Sequence, residues 1–392
     1  MRVCVVGTGG REHALAHVLG RTAEVVRAAG PADDVEADLY VIGPEQPLVD
    51  GLADRLRQKG HLVFGPGADG ARLEGSKAWM KGVLAAAGVP TARSEAFTEL
   101  EPAVAFLRTL PGLYVVKTDG LAAGKGVLVT ESLAEAVEDV RAKLSGSAFG
   151  DAGRTVVIEE GLRGPELSLL ALCDGRRAVP LAPARDFKRA RDGDVGPNTG
   201  GMGAYSPVPE ADADLVGAVM TMAVEPTLAV LRAAGVDYRG VLYAGLMLTP
   251  DGPKVLEYNV RFGDPEAQVV LPRLSSDLTV MLAEAAAGNL RAEPAFVDDA
   301  CVTVVLAAAG YPGPPRTDDV ITGIEEAESV EGVVVFHAGA AATEGGRLVT
   351  RGGRVLDVTA LGPTLGEARR RAYQAVTHIS FPGVQYRRDI AA

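Results

Sequence analysis

Glu257 and Asn259 stand one residue apart at the end of an apolar run. Alternation along a strand puts both on one face. Two hard oxygen donors at that spacing suit Mg²⁺ shared with nucleotide phosphates. Arg261, Asp264 and Glu266 follow directly, while Val260 and Phe262 point the other way and read as packing. A second cluster is the glycine loop Gly120–Gly126, which carries Gly124 and Lys125, with Lys117 just upstream. It is not a Walker loop, because position 119 is Asp, Gly126 replaces the magnesium-binding Ser or Thr, and strands flank it on both sides. A hairpin of this composition folds over phosphates, with backbone N–H groups and ammonium supplying the opposite charge. Gly7-Thr8-Gly9-Gly10-Arg11-Glu12 follows an apolar strand and opens a helix, whose N-terminus favours phosphate. Glu12 occupies the place of the last glycine in a dinucleotide fingerprint, which counts against NAD. Gly43-Pro44-Glu45 ends a neighbouring strand, where open α/β sheets place ligands. Asp186-Phe187-Lys188-Arg189 and the run Gly196–Gly203 form a candidate mobile lid rich in donors and bare amides. The five histidines (His13, His17, His61, His337, His378) are dispersed and form no metal pair. His17 and His61 read as surface residues, and His378 as part of a C-terminal helix. No nucleophile constellation is present, so the expected chemistry is electrostatic and metal-assisted.

These groups need a scaffold. Arg2–Val6, Asp38–Ile42 and Leu62–Phe64 read as buried strands, with helices at Glu12–Leu19 and Leu48–Lys59, which makes an open α/β sheet. Glu24–Ala28 also reads as a strand, but only nine residues separate it from Asp38, too few for a parallel crossover through a helix. Either it is not a parallel strand or a segment is missing there. From Ser76 the pattern changes. A helix spans Ser76–Ala87, capping boxes stand at Thr98-Glu99-Leu100-Glu101 and at Ser132–Glu135, and strands fall at Tyr114–Lys117, Gly126–Thr130 and Thr155–Glu160. Leu167–Leu172 and Val179–Leu181 continue a sheet, Arg185–Pro207 reads as a long polar loop, and Asp212–Ala234 as a helix. Val241–Leu248 and Lys254–Asn259 form a hairpin around Pro250-Asp251-Gly252. A boundary falls at Gly288–Asp299, followed by strands and a helix opened by Thr364–Glu367.

The chain has 392 residues, 47% hydrophobic and 5% aromatic, with a net charge of −12. That length implies two to four domains, and the acidic balance argues against a nucleic-acid binder. No uninterrupted run of 18 apolar residues exists, so no membrane span is expected. Three scattered cysteines (Cys4, Cys173, Cys301) suggest a reduced cytoplasmic setting.

Gly9-Gly10-Arg11-Glu12-His13-Ala14, Gly43-Pro44-Glu45, Glu74-Gly75-Ser76-Lys77, Lys117 with Gly120–Gly126, Pro197–Pro207 and Glu257–Glu266 occur in this order and spacing. In these motifs the chain closely resembles the phosphoribosylamine–glycine ligase (glycinamide ribonucleotide synthetase) family, ATP-grasp enzymes of purine biosynthesis, from Met1 to about Ile390. The resemblance implies an α/β fold in three parts. These are an N-terminal open parallel-sheet (pre-ATP-grasp) domain over 1–75, an ATP-grasp domain over 76–288 with a mobile B subdomain at about 112–165, and a small C-terminal α+β domain over 289–392. It implies ATP, glycine and 5-phosphoribosylamine as substrates, Mg²⁺ or Mn²⁺, a glycyl-phosphate intermediate, a monomer, and no nucleic-acid or membrane partner. Lys117, Gly120, Gly124, Lys125 and Gly126 resemble the ATP-phosphate site. Glu159, Glu160 and Leu162 resemble the adenine-side hinge, and Glu166 the ribose-hydroxyl acceptor. Glu257 and Asn259 resemble the metal ligands, and Arg261 and Lys125 the catalytic cations. Gly10, Arg11, Glu12, Pro44, Glu45, Asp186, Lys188, Gly200, Gly201 and Asp264 resemble positions around phosphoribosylamine and glycine. Three departures stand out. The family carries a second strand, a Pro-Gly-Asn loop and a helix before the strand at Asp38, and here only Ala29-Gly30-Pro31 matches the start of that loop. Thr118 replaces a small apolar residue, and Tyr243–Met247 lacks an upstream metal-binding acid.

Overall fold

In a computed structural model, which describes residues 1–30, 32–121, 126–146 and 154–392, the first sheet is parallel. Its strand order is Glu24–Ala28, Arg2–Val6, Leu39–Ile42, Leu62–Phe64. Val3 to Val6 and Leu39 to Ile42 are buried throughout, as unbroken apolar runs require. Glu24–Ala28 is a parallel strand after all, in register from Arg2 opposite Glu24 to Val6 opposite Ala28. It and Leu39–Ile42 flank Arg2–Val6 on opposite sides. The return therefore crosses two strand spacings, about 10 Å, plus one strand length. Ten extended residues reach roughly 33 Å, so no helix is needed. The outer strand is correspondingly thinly covered, with only Ala28 buried.

The expected helix Leu48–Lys59 is two helices, Glu45–Val49 and Leu52–Gln58. Gly51, at φ +75°, turns the chain between them, a conformation glycine adopts without strain. Ser76 caps the helix Lys77–Ala86 by accepting from the Trp79 N–H.

The next sheet is antiparallel, in the order Ser94–Phe97, Val156–Glu160, Tyr114–Thr118, Val127–Thr130. With the helices Leu100–Leu107 and Leu133–Leu144 it encloses a hydrophobic cluster of its own, centred on Phe97, Phe106, Val116, Val140 and Ile158. Ser132 caps the second helix as expected. The box at Thr98 does not form. Thr98 and Glu99 are spent leaving the strand that ends at Phe97, and the helix starts at Leu100 without a side-chain cap.

The central sheet is antiparallel, in the order Ala178–Pro180, Glu166–Asp174, Arg239–Thr249, Gly252–Asn259. The C-terminal sheet contains Arg185–Asp186, Gly203–Ser206, Ala300–Ala307, Arg354–Gly362 and Val333–His337. Arg185–Pro207 is thus not an open loop. Its ends pair with each other and with Ala300–Ala307, and Arg189–Arg191 pairs with Val195–Asn198 between them. Ser206 and Tyr205 are buried by that pairing, which the polar, glycine-rich sequence conceals. The last helix, Leu365–Val376, is capped by Thr364 and ends before His378.

Among the described residues one helix, Ala213–Ala233, is long and apolar enough by length and composition to cross a membrane, with mean hydropathy 1.5. Thr221, Glu225 and Thr227 interrupt its sequence, so no unbroken apolar run announces it. One of its faces, including Val219, Met220, Ala223, Val224, Leu228 and Leu231, packs into the main core.

Candidate functional site

The strand Gly252–Asn259 carries Glu257 and Asn259 to its end, beside Gly245 and Tyr243 of its partner. Gly245 opposite Glu257 leaves no second acid there, as the sequence indicates. Burial alone would raise the Glu257 carboxyl, but Lys117, Lys188, Lys77 and Arg261 hold it below the usual carboxylate range. It is an ionised oxygen donor among four cations drawn from different elements. Among the described residues no cluster of three or more His, Cys, Asp or Glu is arranged around a metal position. Glu257 and the amide oxygen of Asn259 are two protein oxygens, a set that fits Mg²⁺ completed by phosphate and water.

Lys117 projects from Tyr114–Thr118 with 6% of its surface exposed. Its Nζ lies 2.8 Å from Glu159 Oε1 and donates to the Leu256 carbonyl at 3.4 Å. Lys81 Nζ lies 2.8 Å from the other oxygen of Glu159 and donates to Thr91 Oγ1. Glu159, expected at an adenine-side hinge, is therefore turned inward, bridging two ammonium groups with 1% exposed. The base of the glycine loop is tied to the helix Lys77–Ala86. Asp119 accepts from Ser76 Oγ and from the Ala78 N–H, and Lys77 Nζ donates to the Gly120 carbonyl at 2.9 Å. Gly126 closes the hairpin by accepting from the Thr118 N–H, whereas Gly124 and Lys125 lie outside the described residues. Glu160 accepts from the Arg93 N–H. Leu162 lines a cleft of about 690 Å³ between Gly112–Leu113, Gly161–Arg163 and the turn Thr249–Asp251.

At the N-terminal turn, Glu12 is buried. Its carboxylate accepts from the Gly9 N–H at 2.7 Å and from Arg11 Nε at 2.6 Å. A Cβ on Gly43 would meet that carboxylate at 2.1 Å, so the two strand-end turns close around it. Arg11 then reaches the Phe262 carbonyl. Pro44 is the N-cap of the helix bearing Glu45. Arg261 draws these parts together. It donates to Glu74 at 2.9 Å, Asn259 at 3.2 Å, Glu45 at 3.4 Å and the Phe262 carbonyl at 3.4 Å. Of the five N–H bonds of its guanidinium, one on Nη1 is left over among the described residues.

On the far side, Lys188 is ion-paired with both Glu166 and Asp186. Burial opposes its charge, but the two carboxylates hold the ammonium protonated. Burial pushes the Asp186 carboxyl up to about 7 against the pull of Lys188, with Glu266 and Glu166 adding to the rise. Asp264 accepts from Arg354 at 2.9 Å and Gln268 at 2.7 Å, and Arg354 also donates to the Gly200 carbonyl at 2.6 Å. Gly201, at φ +109°, lies against Pro265, which a Cβ would meet at 2.5 Å. Gly10 abuts Asp357, whose carboxylate a Cβ would meet at 1.9 Å. Lys77, Lys81, Glu74, Gln268, Arg354 and Asp357 are absent from the sequence-based site set. Lys81 was accessible to it, one helical turn after Lys77; Arg354 and Asp357 come from a separate sheet and carried no local signal.

Two sheet-bearing units thus face each other across lysines, a Glu-x-Asn pair and an arginine fork, the architecture of an ATP-grasp ligase. The family descriptions agree along the chain. The N domain of phosphoribosylglycinamide synthetase matches residues 24–74, its ATP-grasp (A) domain residues 75–267 and its C domain residues 301–392. The phosphoribosylamine–glycine ligase of Streptomyces coelicolor is 49% identical across 100% of this chain and 99% of its own length, and that of Vibrio cholerae is 45% identical across 100% and 97%. The Streptomyces alignment runs over 422 positions against 392 residues here, so this chain carries gaps against that relative. The crystal structure of phosphoribosylamine–glycine ligase from Thermotoga maritima superposes with a TM-score of 0.86 at 37% identity, covering 100% of both chains. The biotin carboxylase domain of a Hydrogenobacter thermophilus 2-oxoglutarate carboxylase, solved with MgADP and bicarbonate, shares the fold at 17% identity and a TM-score of 0.72, covering 98% of this chain and 91% of that one. The chain belongs to the phosphoribosylamine–glycine ligase family.

Proposed function

We propose that this chain carries out its family's reaction with the residues placed above. It is an ATP-dependent carbon–nitrogen ligase of purine biosynthesis. It joins glycine to 5-phosphoribosylamine and gives glycinamide ribonucleotide, ADP and phosphate. A carboxylate oxygen of glycine attacks the γ-phosphorus of ATP and ADP leaves. The amine of phosphoribosylamine then attacks the acyl carbon, the C–O bond to phosphate breaks, and the amine gives up a proton. Both steps develop charge on phosphoryl or tetrahedral oxygens. The observation that carries this reading is the convergence at one strand end of Glu257 and Asn259 with Arg261, which donates to Asn259, Glu74 and Glu45, and with Lys117, which donates to the Leu256 carbonyl.

Lys117, with Lys125, holds phosphate oxygens, and Glu166 accepts from the ribose hydroxyls. Glu257 and Asn259 would hold Mg²⁺ or Mn²⁺, which when bound neutralises phosphate charge. Arg261 offers its remaining N–H to the acyl-phosphate oxygens, its plane held by Glu74, Glu45 and Asn259. Gly10, Arg11, Pro44, Glu45, Lys188, Gly200, Gly201 and Asp264 surround the two acceptor substrates. The unit Ser94–Glu160, with its own hydrophobic cluster, closes as a lid and keeps water from the acyl phosphate. The domain limits suggested by the sequence, a cytoplasmic location and a monomeric state belong to the same reading.

Glycine labelled with ¹⁸O in its carboxylate tests the route. The expected result is one labelled oxygen in each phosphate released; unlabelled phosphate accompanying amide formation rules out the glycyl-phosphate path.

A further inference from the structure

Arg387 is among the largest fully buried side chains, with 1% of its surface exposed, and lies just before the turn at Ile390 and Ala391. It donates through Nε and Nη2 to both oxygens of Asp389 at 2.7 Å, and through Nη1 to Asp194 at 3.0 Å and the Arg189 carbonyl at 3.1 Å. Its guanidinium also stacks 4.9 Å from the centre of the Phe187 ring. Phe187 and Arg189 are the two neighbours of Lys188. The grip is reinforced by Asp389 accepting from the Gly193 N–H, by Asp192 accepting from the Arg388 N–H, and by Ile390 packed where a Cβ on Gly203 would stand. Tyr373 accepts from the Ile390 N–H and donates to the Arg387 carbonyl, so the last helix holds the strap in turn.

We propose that Arg387 is a positioning residue that holds the Phe187 ring and the Arg189 carbonyl, one on each side of Lys188, and so places the Lys188 ammonium for glycine. A buried guanidinium spanning four acceptors and an aromatic face is a rigid fork, and it is held on the C-terminal sheet unit rather than on the lid. The segment Arg185–Pro207 is then a fixed wall, and closure belongs to the Ser94–Glu160 unit. This inference rests on the placement of Lys188 beside the two acceptor substrates in the proposed function, and it assigns Lys188 to glycine of the two.

The test is a double-mutant cycle in the full chain with Arg387→Ala, Lys188→Ala and the pair, read as kcat/KM for glycine and KM for ATP, with Arg387→Lys as the conservative variant. Arg387→Ala is expected to lower kcat/KM for glycine about tenfold, as misplacement of a reacting group does, with KM for ATP within about twofold. In the Lys188→Ala background it adds no further loss, and Arg387→Lys regains part of the activity. Losses that multiply, equal losses toward ATP and glycine, or a lowered denaturation midpoint with unchanged kinetics overturn the proposal. If Lys188→Ala leaves glycine kinetics unchanged, the reading of Lys188 fails and takes the proposal with it. If Lys188→Ala is impaired and Arg387→Ala is not, the proposal alone fails. Should Arg387→Ala not fold, Phe187→Leu removes only the stack and is expected to shift glycine kinetics in the same direction by a smaller factor; no shift overturns the proposal.

Discussion

Glu159 sits between Lys81 and Lys117 with both oxygens 2.8 Å from an ammonium. Glu159→Gln leaves two buried cations sharing a neutral amide, at a cost of about 3–5 kcal/mol. A urea midpoint should fall accordingly; a variant of unchanged midpoint contradicts this ion-pair role. Asp357 shows the opposite electrostatics. Burial and Asp264 push its carboxyl up to about 7, against Arg354 and Gln268. Its folded value exceeds its unfolded one, so the neutral form is favoured and ionisation opposes folding. Stability therefore falls as pH rises from about 4 to about 7 and levels off above. Asp357→Asn removes that penalty, and its advantage over the parent chain in denaturant midpoint is expected to grow from pH 5 to pH 8. A pH-independent difference contradicts this. At this scale the sequence was informative about residue type but not about partner. Glu12 and Glu159 were legible as site carboxylates, yet their inward turn depends on Gly43 and Lys81, which lie far along the chain.

Elements were legible where their signals are local. Ser132 and Thr364 both cap helices by accepting from the N–H three residues on. Ser132→Ala should cost about 1 kcal/mol, read from the melting of the lid unit. The N-terminal strands, the hairpin after Arg239 and the last helix also follow from periodicity and turn residues. Pairing across sequence was not legible in Arg185–Pro207, whose glycines and charges suggest a loop while Ala300–Ala307 supplies the missing partner. Close approach between elements gives a sharper test. Gly10 opens its helix directly against Asp357, which belongs to another sheet. Gly10→Ala forces the two apart, and a loss of more than about 2 kcal/mol, in the range of core overpacking and beyond, is expected. Recovery in Gly10→Ala combined with Asp357→Ala identifies the clash; a pair no better than the single variant contradicts it.

Across the whole molecule, the site exists only where four sheets meet. Lys117 comes from the sheet of Ser94–Phe97, Val156–Glu160, Tyr114–Thr118 and Val127–Thr130, Glu257 from the central sheet, Glu45 from the helix after an N-terminal strand, and Arg354 from the C-terminal sheet. The order of motifs along the sequence was enough to indicate this assembly, because each motif ends a strand or opens a helix. The short return at 29–38 was visible as a missing helix, and the structure adds that Glu24–Ala28 and Leu39–Ile42 nevertheless both pair parallel with Arg2–Val6, on its two sides. The most direct measurement is ADP release by the purified chain with Mg²⁺-ATP, glycine and freshly generated 5-phosphoribosylamine. Release that requires both acceptor substrates and matches glycinamide ribonucleotide formed one for one is the predicted result; the absence of any glycine-dependent ADP release contradicts the account.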